Sequence, residues 1–223
     1  MSKLHRISLS GLELIPHLSG ALYVPEYETL IIADLHLEQG TSLARRGIHV
    51  PPFDTAVTLE VLETTLSTTH AKRLIFLGDS FHDNAAEERL DETHLSRLRI
   101  ITNQYETLWI IGNHDPNPPR LLGGQGAETI SLGHITLRHE PSACLNDEYE
   151  IAGHLHPGCT VNQRGRSIRG KCFIADQTRL IMPSFGAYTG GLSITSDAFA
   201  GLFKPEQTKI WMIGKNRLHR FSL

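Results

Sequence analysis

Four times along this 223-residue chain an apolar run stops at a short burst of residue types that bind metal ions. The stretches are Ile31-Ile32-Ala33-Asp34-Leu35-His36, Phe76-Leu77-Gly78-Asp79, Ile110-Ile111-Gly112-Asn113-His114-Asp115 and Ile151-Ala152-Gly153-His154-Leu155-His156. Short continuous apolar runs read as strands buried on both faces. Rigid strands aim the loops that follow them toward one point, so ligands gather at strand ends. In D-x-H and H-x-H the two ligand types flank one position. On a pleated strand they would share a face and could grip a single ion. The glycine before Asp79, Asn113 and His154 permits tight turns and close approach of backbone to a site. Singly, each stretch is an ordinary turn sequence, because Gly, Asn and Asp all favour loops. Four of them in this order, each behind a strand, are not a coincidence.

The rest of the chain supplies a frame for those strands. Ile7 to Leu14, Ala21 to Val24 and Thr29 to Ala33 read as strands, and Val50-Pro51-Pro52 breaks the chain. Asp54 is a good N-cap for a helix running to about Thr69, with Val57, Val61, Leu62 and Leu66 on its buried face. A strand is expected over Arg73 to Leu77, a second helix over Ala86 to Thr102 with Leu90, Leu95, Leu98 and Ile101 at helical spacing, and a strand over Leu108 to Ile111. From Thr129 to Leu223 short strands and Gly-rich turns dominate, apart from a turn near Ser196. With no repeat, low-complexity tract or linker, residues 1–223 read as a single α/β domain.

Composition sets the outer limits. Apolar residues make up 40% and charged residues 20%, an ordinary globular balance. No apolar run approaches the roughly 20 residues that span a bilayer. Met1 to Pro16, with Lys3 and Arg6, lacks the apolar core of a signal peptide, so a cytoplasmic location is expected. Cys144, Cys159 and Cys172 form no C-x-x-C pair and read as reduced thiols. A formal net charge of −3 gives no global basic field for nucleic acid, so any such binding must be local.

The ordered set D-x-H, G-D, G-N-H-D, a lone His and G-H-x-H resembles the calcineurin-like metallophosphoesterases, over Asp34 to His156. That resemblance implies a four-layer α/β/β/α sandwich of two mixed sheets flanked by helices. It also implies two divalent metal ions: Asp34, His36 and His156 would hold the first, Asn113, His139 and His154 the second, and Asp79 would bridge them. His134 lies near His139 and either could be the lone His; the run Ile135 to His139 reads as a strand ending at His139, which favours the latter. Mixed imidazole and carboxylate ligands suit Mn²⁺, with Fe²⁺ and Zn²⁺ as the other candidates. Adjacent side chains diverge, so His114 is expected to serve as proton donor or hydrogen-bond donor to the phosphate, oriented by Asp115.

Departures from sister patterns narrow the substrate. Protein phosphatases of the superfamily carry G-D-x-V-D-R-G, whereas here Gly78-Asp79-Ser80-Phe81-His82-Asp83-Asn84 has no Arg. Purple acid phosphatases have Tyr at the position of His82, and lipid A pathway pyrophosphatases have Arg at that of His114. G-D-x-F-H looks like the double-strand-break repair nucleases, in which the His contacts substrate phosphate. Ala33-Asp34-Leu35-His36-Leu37-Glu38, Ser42 to Gly47, Val50-Pro51-Pro52 and Pro183 to Gly191 resemble the bacterial ligase-associated DNA damage response endonuclease family, PdeM. What that resemblance implies is a Mn²⁺-dependent phosphodiesterase or endonuclease, acting on DNA single strands or ends, beside an ATP-dependent DNA ligase and a DExH-box helicase. Arg46, His82 and Asn113 are the expected substrate contacts. For the basic segment Arg164, Arg166, Arg169 and Lys171 a solvated hairpin is the favoured reading. The alternatives are a phosphatase or pyrophosphatase for a small metabolite, and a catalytically inert interaction module; an intact ligand set argues against the inert module.

Overall fold

A computed structural model describes residues 6–143, 148–163 and 165–223. Cys144 and Arg164, both considered above, lie outside them, as does Lys3. Among the described residues the strands form two mixed sheets of seven and nine strands. The first holds β1 (Ile7–Leu9), β2 (Leu12–Pro16), β3 (Leu22–Val24), β4 (Thr29–Ile32), β5 (Arg73–Leu77), β6 (Glu106–Ile110) and β7 (Gln125–Ala127), side by side in chain order. The second is built from β8 (Thr129–Leu132), β9 (Ile135–Arg138), β10 (Tyr149–Ala152), β11 (Pro157–Gln163), β12 (Arg166–Ala175), β13 (Arg179–Ile181), β14 (Leu192–Ser193), β15 (Lys209–Ile213) and β16 (Leu218–Ser222). Four helices accompany them: α1 (Gln39–Arg45), α2 (Asp54–Thr68), α3 (Ala86–Arg89) and α4 (Glu92–Gln104). None is long and apolar enough to cross a membrane.

The sheets stack through the alternation of their strands. On β4 and β5 and just beyond, Ile31, Ala33, Ile75 and Leu77 face the second sheet and pack with Leu137, Ile151, Phe173 and Leu180. Their neighbours Leu30, Ile32, Leu74 and Phe76 face the other way, under Leu59, Leu62, Leu98 and Ile101 of α2 and α4. Strands buried on both faces carry no polar alternation, which is why the ligand-bearing runs are uniformly apolar. The outer face of the second sheet, with Cys159, Cys172, Ile174 and Met212, is covered by Ile194, Phe199, Leu202 and Phe203. These come from a loop with short 3₁₀ turns at Asp197–Phe199 and Pro205–Gln207.

Several expected elements change form. Ile7 to Leu14 is a hairpin, since Ser10 and Gly11 both take positive φ, the two-residue turn that matches strand twist. The helix expected over Ala86 to Thr102 is split. Asp91 accepts the His94 N–H at 2.7 Å and so caps a new helix, α4, after extended backbone at Leu90. Asp54 does not cap α2; Phe53 holds that position, and the Asp54 carboxylate accepts the Gly40 N–H at 2.9 Å. The buried face of α2 runs through Thr55, Thr58, Leu59, Leu62, Thr65 and Leu66, leaving Val57 42% exposed. Helix α1, which has no apolar stripe, was not expected at all.

One buried charge network ties the second sheet to the loop behind His139. Arg179, 2% exposed, donates through Nε to Glu150 at 2.6 Å, through Nη1 to the Leu202 carbonyl at 2.9 Å, and to the Ser142 carbonyl. The second Glu150 oxygen accepts the Ser142 N–H at 3.0 Å and lies 3.2 Å from Arg138. Removing one member of a buried pair strands the other in low dielectric. Arg179→Met should therefore lower the unfolding free energy by about 3 kcal/mol in urea titrations. Arg99→Met, at a half-exposed surface pair, should change it by less than about 0.5 kcal/mol.

Candidate metal centre

All the ligand-type bursts emerge at one edge of the sandwich, because β4, β5 and β6 are mutually parallel and so are β9 and β10. The pairing of β4 with β5 continues past the strands as a backbone ladder. Asp34 N–H donates to Gly78 O (3.2 Å), His36 N–H to Asp79 O (2.9 Å) and Leu37 N–H to Ser80 O (2.9 Å). Within that ladder the chain is not extended. Asp34, His36, Asp79, His154 and His156 all take positive φ, between 45° and 66°. Non-glycine residues adopt this region at a cost, and such conformations persist where surrounding bonds enforce them.

This backbone decides which side chains meet. Asp34, His36 and His156 form one group: His156 Nε2 stands 3.2 Å from Asp34 Oδ1 and 3.4 Å from His36 Nε2. Asp79, His139 and His154 form another, with His139 Nε2 3.3 Å from Asp79 Oδ2, 3.2 Å from His154 Nδ1 and 2.9 Å from Asn113 Oδ1. The H-x-H pair therefore does not grip one ion as strand pleating would have it; the left-handed turns at both residues send His154 and His156 to different groups. Asp79 Oδ2 is also 3.8 Å from His36 Nε2, so this carboxylate lies between the two. His139 is buried and His134 is exposed in the turn before β9. Convergent imidazole nitrogens and carboxylate oxygens, mostly buried, fit a pair of transition-type cations. His36 turns Nε2 toward this group, while its Nδ1 is buried with no hydrogen-bond partner, where a ligand imidazole ordinarily has one.

The motif glycines make room for the neighbouring loop's ligand. A Cβ on Gly112 would stand 2.2 Å from Asp79 Oδ1, and one on Gly153 would stand 2.6 Å from Asp34 Oδ2.

Asp115 does something other than orient His114. Its Oδ1 accepts the N–H groups of Asp79 (3.0 Å) and Gly112 (3.1 Å), and its Oδ2 those of Ser80 (2.7 Å) and Phe81 (3.1 Å). The carboxylate thus clamps the Asp79 loop, and we correct its expected catalytic role to a positioning one. Orientation of His114 comes from the His82 carbonyl, 2.8 Å from Nδ1. The His36, His82 and His114 rings lie 5.1–5.4 Å apart, so His82 and His114 both border the first group.

Arg45 at the end of α1 and Arg46 just after it are exposed, and so are Arg166 and Arg169 on the β11–β12 hairpin. Lys171 differs from the solvated reading of its segment. Its side chain is half-buried, the ammonium donates to the carbonyls of Ser184 and Gly186, both at 2.8 Å, and burial lowers its pKa to about 8. The Pro183–Gly191 segment is in turn bonded to the first metal loop, through Phe185 N–H to Ala33 O (2.8 Å) and Gly186 N–H to Asp34 O (3.1 Å). A basic residue next to Cys172 in an apolar strand was the available signal for Lys171.

No protein-family model and no curated protein matches the chain. Among solved structures it is similar to the Pseudomonas putida nuclease MPE, at 27% identity and a TM-score of 0.77, over 96% of this chain and 98% of that one. It also aligns with Yfce, a phosphoesterase from E. coli, at 15% identity and a TM-score of 0.43, over 87% of this chain and 98% of that one; a likeness this distant adds nothing to the assignment. Two stacked mixed sheets with paired ligand groups at one edge define a metallophosphoesterase, a metal-dependent phosphoester hydrolase. The likeness to that nuclease is consistent with the PdeM-like type to which the flanking motifs point.

The protein's own charges make metal uptake pH-dependent. Burial opposes the charged form of His139, but Asp79 and Asp34 outweigh it and raise its pKa to about 9. For Asp79, burial raises the pKa and His139 more than offsets it, down to about 2. A ligand imidazole must be neutral, so binding has to displace the proton that His139 keeps below pH 9. Apparent affinity should therefore rise between pH 7 and 9, with a buffer-dependent enthalpy in titration calorimetry from the released proton. Gly153→Ala should fold but lose metal by elemental analysis, since its methyl group collides with the Asp34 carboxylate.

Proposed function

We propose that the chain is a two-metal phosphodiesterase that cleaves DNA, as single strands or at ends. Asp34, His36 and His156 would hold one cation, Asn113, His139 and His154 the other, with Asp79 shared. Mn²⁺ suits this imidazole-rich set better than Mg²⁺, which prefers oxygen ligands. When bound, such a pair polarises phosphoryl oxygens and supplies a nucleophile at neutral pH.

The protein's own groups do the rest. Because His114 Nδ1 faces the His82 carbonyl at 2.8 Å, that nitrogen carries a hydrogen. Nε2 can then donate only from the doubly protonated ring, and in this reading His114 would act in that form to protonate the leaving alkoxide. Burial lowers the pKa of His82, with His114 adding to the shift, and in this reading the ring would serve as a hydrogen-bond partner for a non-reacting phosphate oxygen. Asn113 and Arg46 complete the substrate contacts. The observation that carries the reading is the pair His82 and His114 beside the first ligand group, without the Arg that follows the bridging Asp in phosphatases. A monoester dianion gains most from added positive charge, whereas a diester needs its oxygen steered and its alkoxide protonated. Likeness to a nuclease over nearly the whole of both chains supports a nucleic-acid substrate. The reading brings with it a cytoplasmic, single-domain repair enzyme working with a DNA ligase and a helicase.

A small phosphorylated metabolite is the second reading. It is kept open by the net charge of −3, which provides no global basic field for a nucleic acid.

Purified protein should lose activity in chelator and regain it with Mn²⁺ more than with Mg²⁺. Bis-(p-nitrophenyl) phosphate should be hydrolysed faster than p-nitrophenyl phosphate, and single-stranded DNA should be cut, less so as salt rises. His114→Ala should keep both metals while slowing turnover by about 10²–10⁴-fold. A tenfold preference for the monoester with no cleavage of any DNA would replace this reading with the metabolite phosphatase.

A further inference from the structure

From the end of α1 to the first turn of α2 the chain exposes three large apolar side chains. Phe53 is 60% exposed, Ile48 53% and Val57 42%. Phe53 and Val57 are four residues apart at the start of α2 and therefore lie on one helix face. The segment is firmly anchored. Gly40 N–H donates to Asp54 (2.9 Å), Thr55 donates to Glu38 (2.8 Å), and the Tyr188 hydroxyl donates to the Pro51 carbonyl (2.6 Å). Phe53 is itself the first residue of the α2 cap, so its backbone is fixed while its ring stays in solvent.

Charge and position say what such a surface meets. From Gln39 to Phe53 there is no acidic residue, but there are Arg45, Arg46 and His49, all exposed. The next acid, Asp54, is buried and bonded to Gly40. Helix α1 starts three positions after His36, and Arg89 donates both to Thr41 of α1 (3.0 Å) and to Asp83 beside His82 (2.8 Å), which ties the segment to the rim of the candidate centre. Three apolar side chains are too few for a stable protein interface, which needs about 800 Å² on each partner. They suffice for one or two bases. Exposed aromatic faces set among cations are how proteins hold single-stranded nucleic acid without reading its sequence.

We infer that this segment is a single-strand platform: Phe53 stacks on a base, Ile48 and Val57 extend the apolar face, and Arg45 and Arg46 hold the flanking phosphates. The inference rests on the nuclease reading and adds to it that the strand is held unpaired, with its bases turned toward the protein. Duplex DNA, with its base faces stacked on one another, offers only phosphates here.

The test is fluorescence anisotropy of the Mn²⁺-loaded protein with labelled oligo(dT) carrying slowly cleaved phosphorothioate linkages, beside a duplex of equal length. Phe53→Ala should weaken oligo(dT) binding by about fivefold or more, the lower end of base–aromatic stacking. Phe53→Trp should retain binding and Phe53→Leu should not, because an apolar side chain without a ring cannot stack. Duplex should bind more weakly and show no loss in Phe53→Ala. Arg45→Ala should flatten the salt dependence by about 0.7 in log–log slope, as for one lost phosphate contact. In cleavage, the Phe53→Ala loss on oligo(dT) should exceed any loss on bis-(p-nitrophenyl) phosphate by the same factor. Binding by Phe53→Ala equal to wild type, or full rescue by Phe53→Leu, overturns the platform while wild-type DNA cleavage leaves the nuclease reading standing. A wild-type protein that neither binds nor cuts any oligonucleotide overturns both.

Discussion

The centre depends on backbone hydrogen bonds that continue after the strands have ended. Past Ile32 and Leu77 the two chains stay paired, with Asp34, His36 and Leu37 donating to Gly78, Asp79 and Ser80. That pairing holds Asp34, His36 and Asp79 in left-handed conformations that none would adopt alone. Asp115 secures the same loop from the other side by accepting four backbone N–H groups. Burial raises its pKa to about 7, with the Asp79 charge adding to the rise and the N–H groups of Phe81 and Ser80 opposing it. Ligand side chains converge because main chain, not side-chain packing, dictates their directions.

Much of this was legible in the sequence, and the limits were physical. Strands β4, β5, β6 and β10 were readable because each ends in an apolar run that stops at ligand types. The ligand residues could be named, and the structure gathers them. The division of His154 from His156 could not be read from strand periodicity, since nothing in a His-Leu-His string announces positive φ at both ends. Asp115 was misassigned for a similar reason: neighbouring His114 suggested a side-chain partner, whereas the available donors were main-chain groups from another loop. Helix α1 carries no apolar stripe, so its pattern was silent. The break at Leu90 was visible in principle, because Asp91 three residues before His94 is a good cap, but the continuous Leu and Ile spacing masked it.

The two sheets are joined at the site by more than their shared core. The Pro183–Gly191 segment leaves β13 of the second sheet, bonds to Ala33 and Asp34 of the first, and meets the Thr58 hydroxyl of α2 through Ala187 N–H. Lys171 fixes the same segment from β12. A lysine ammonium is an expensive group to bury, and its two carbonyl partners explain why it is tolerated. Residues far from any ligand in sequence thereby set where the first carboxylate sits.

The ligand groups draw on both sheets, from Asp34 near one end of the chain to His156 well past its middle. Neither sheet alone carries a complete group around His139, His154 and Asp79, so the centre comes into being only when the sandwich has closed. During synthesis, a chain that has delivered Asp34, His36 and Asp79 still lacks every imidazole of the second sheet. A reactive hydrolytic centre is therefore withheld from the nascent and the half-folded protein, and a cation that enters last binds the native state alone. By mass action it then locks that state in. The metal would act as a seal on finished molecules, and starving a cell of it would leave them more easily opened as well as inactive.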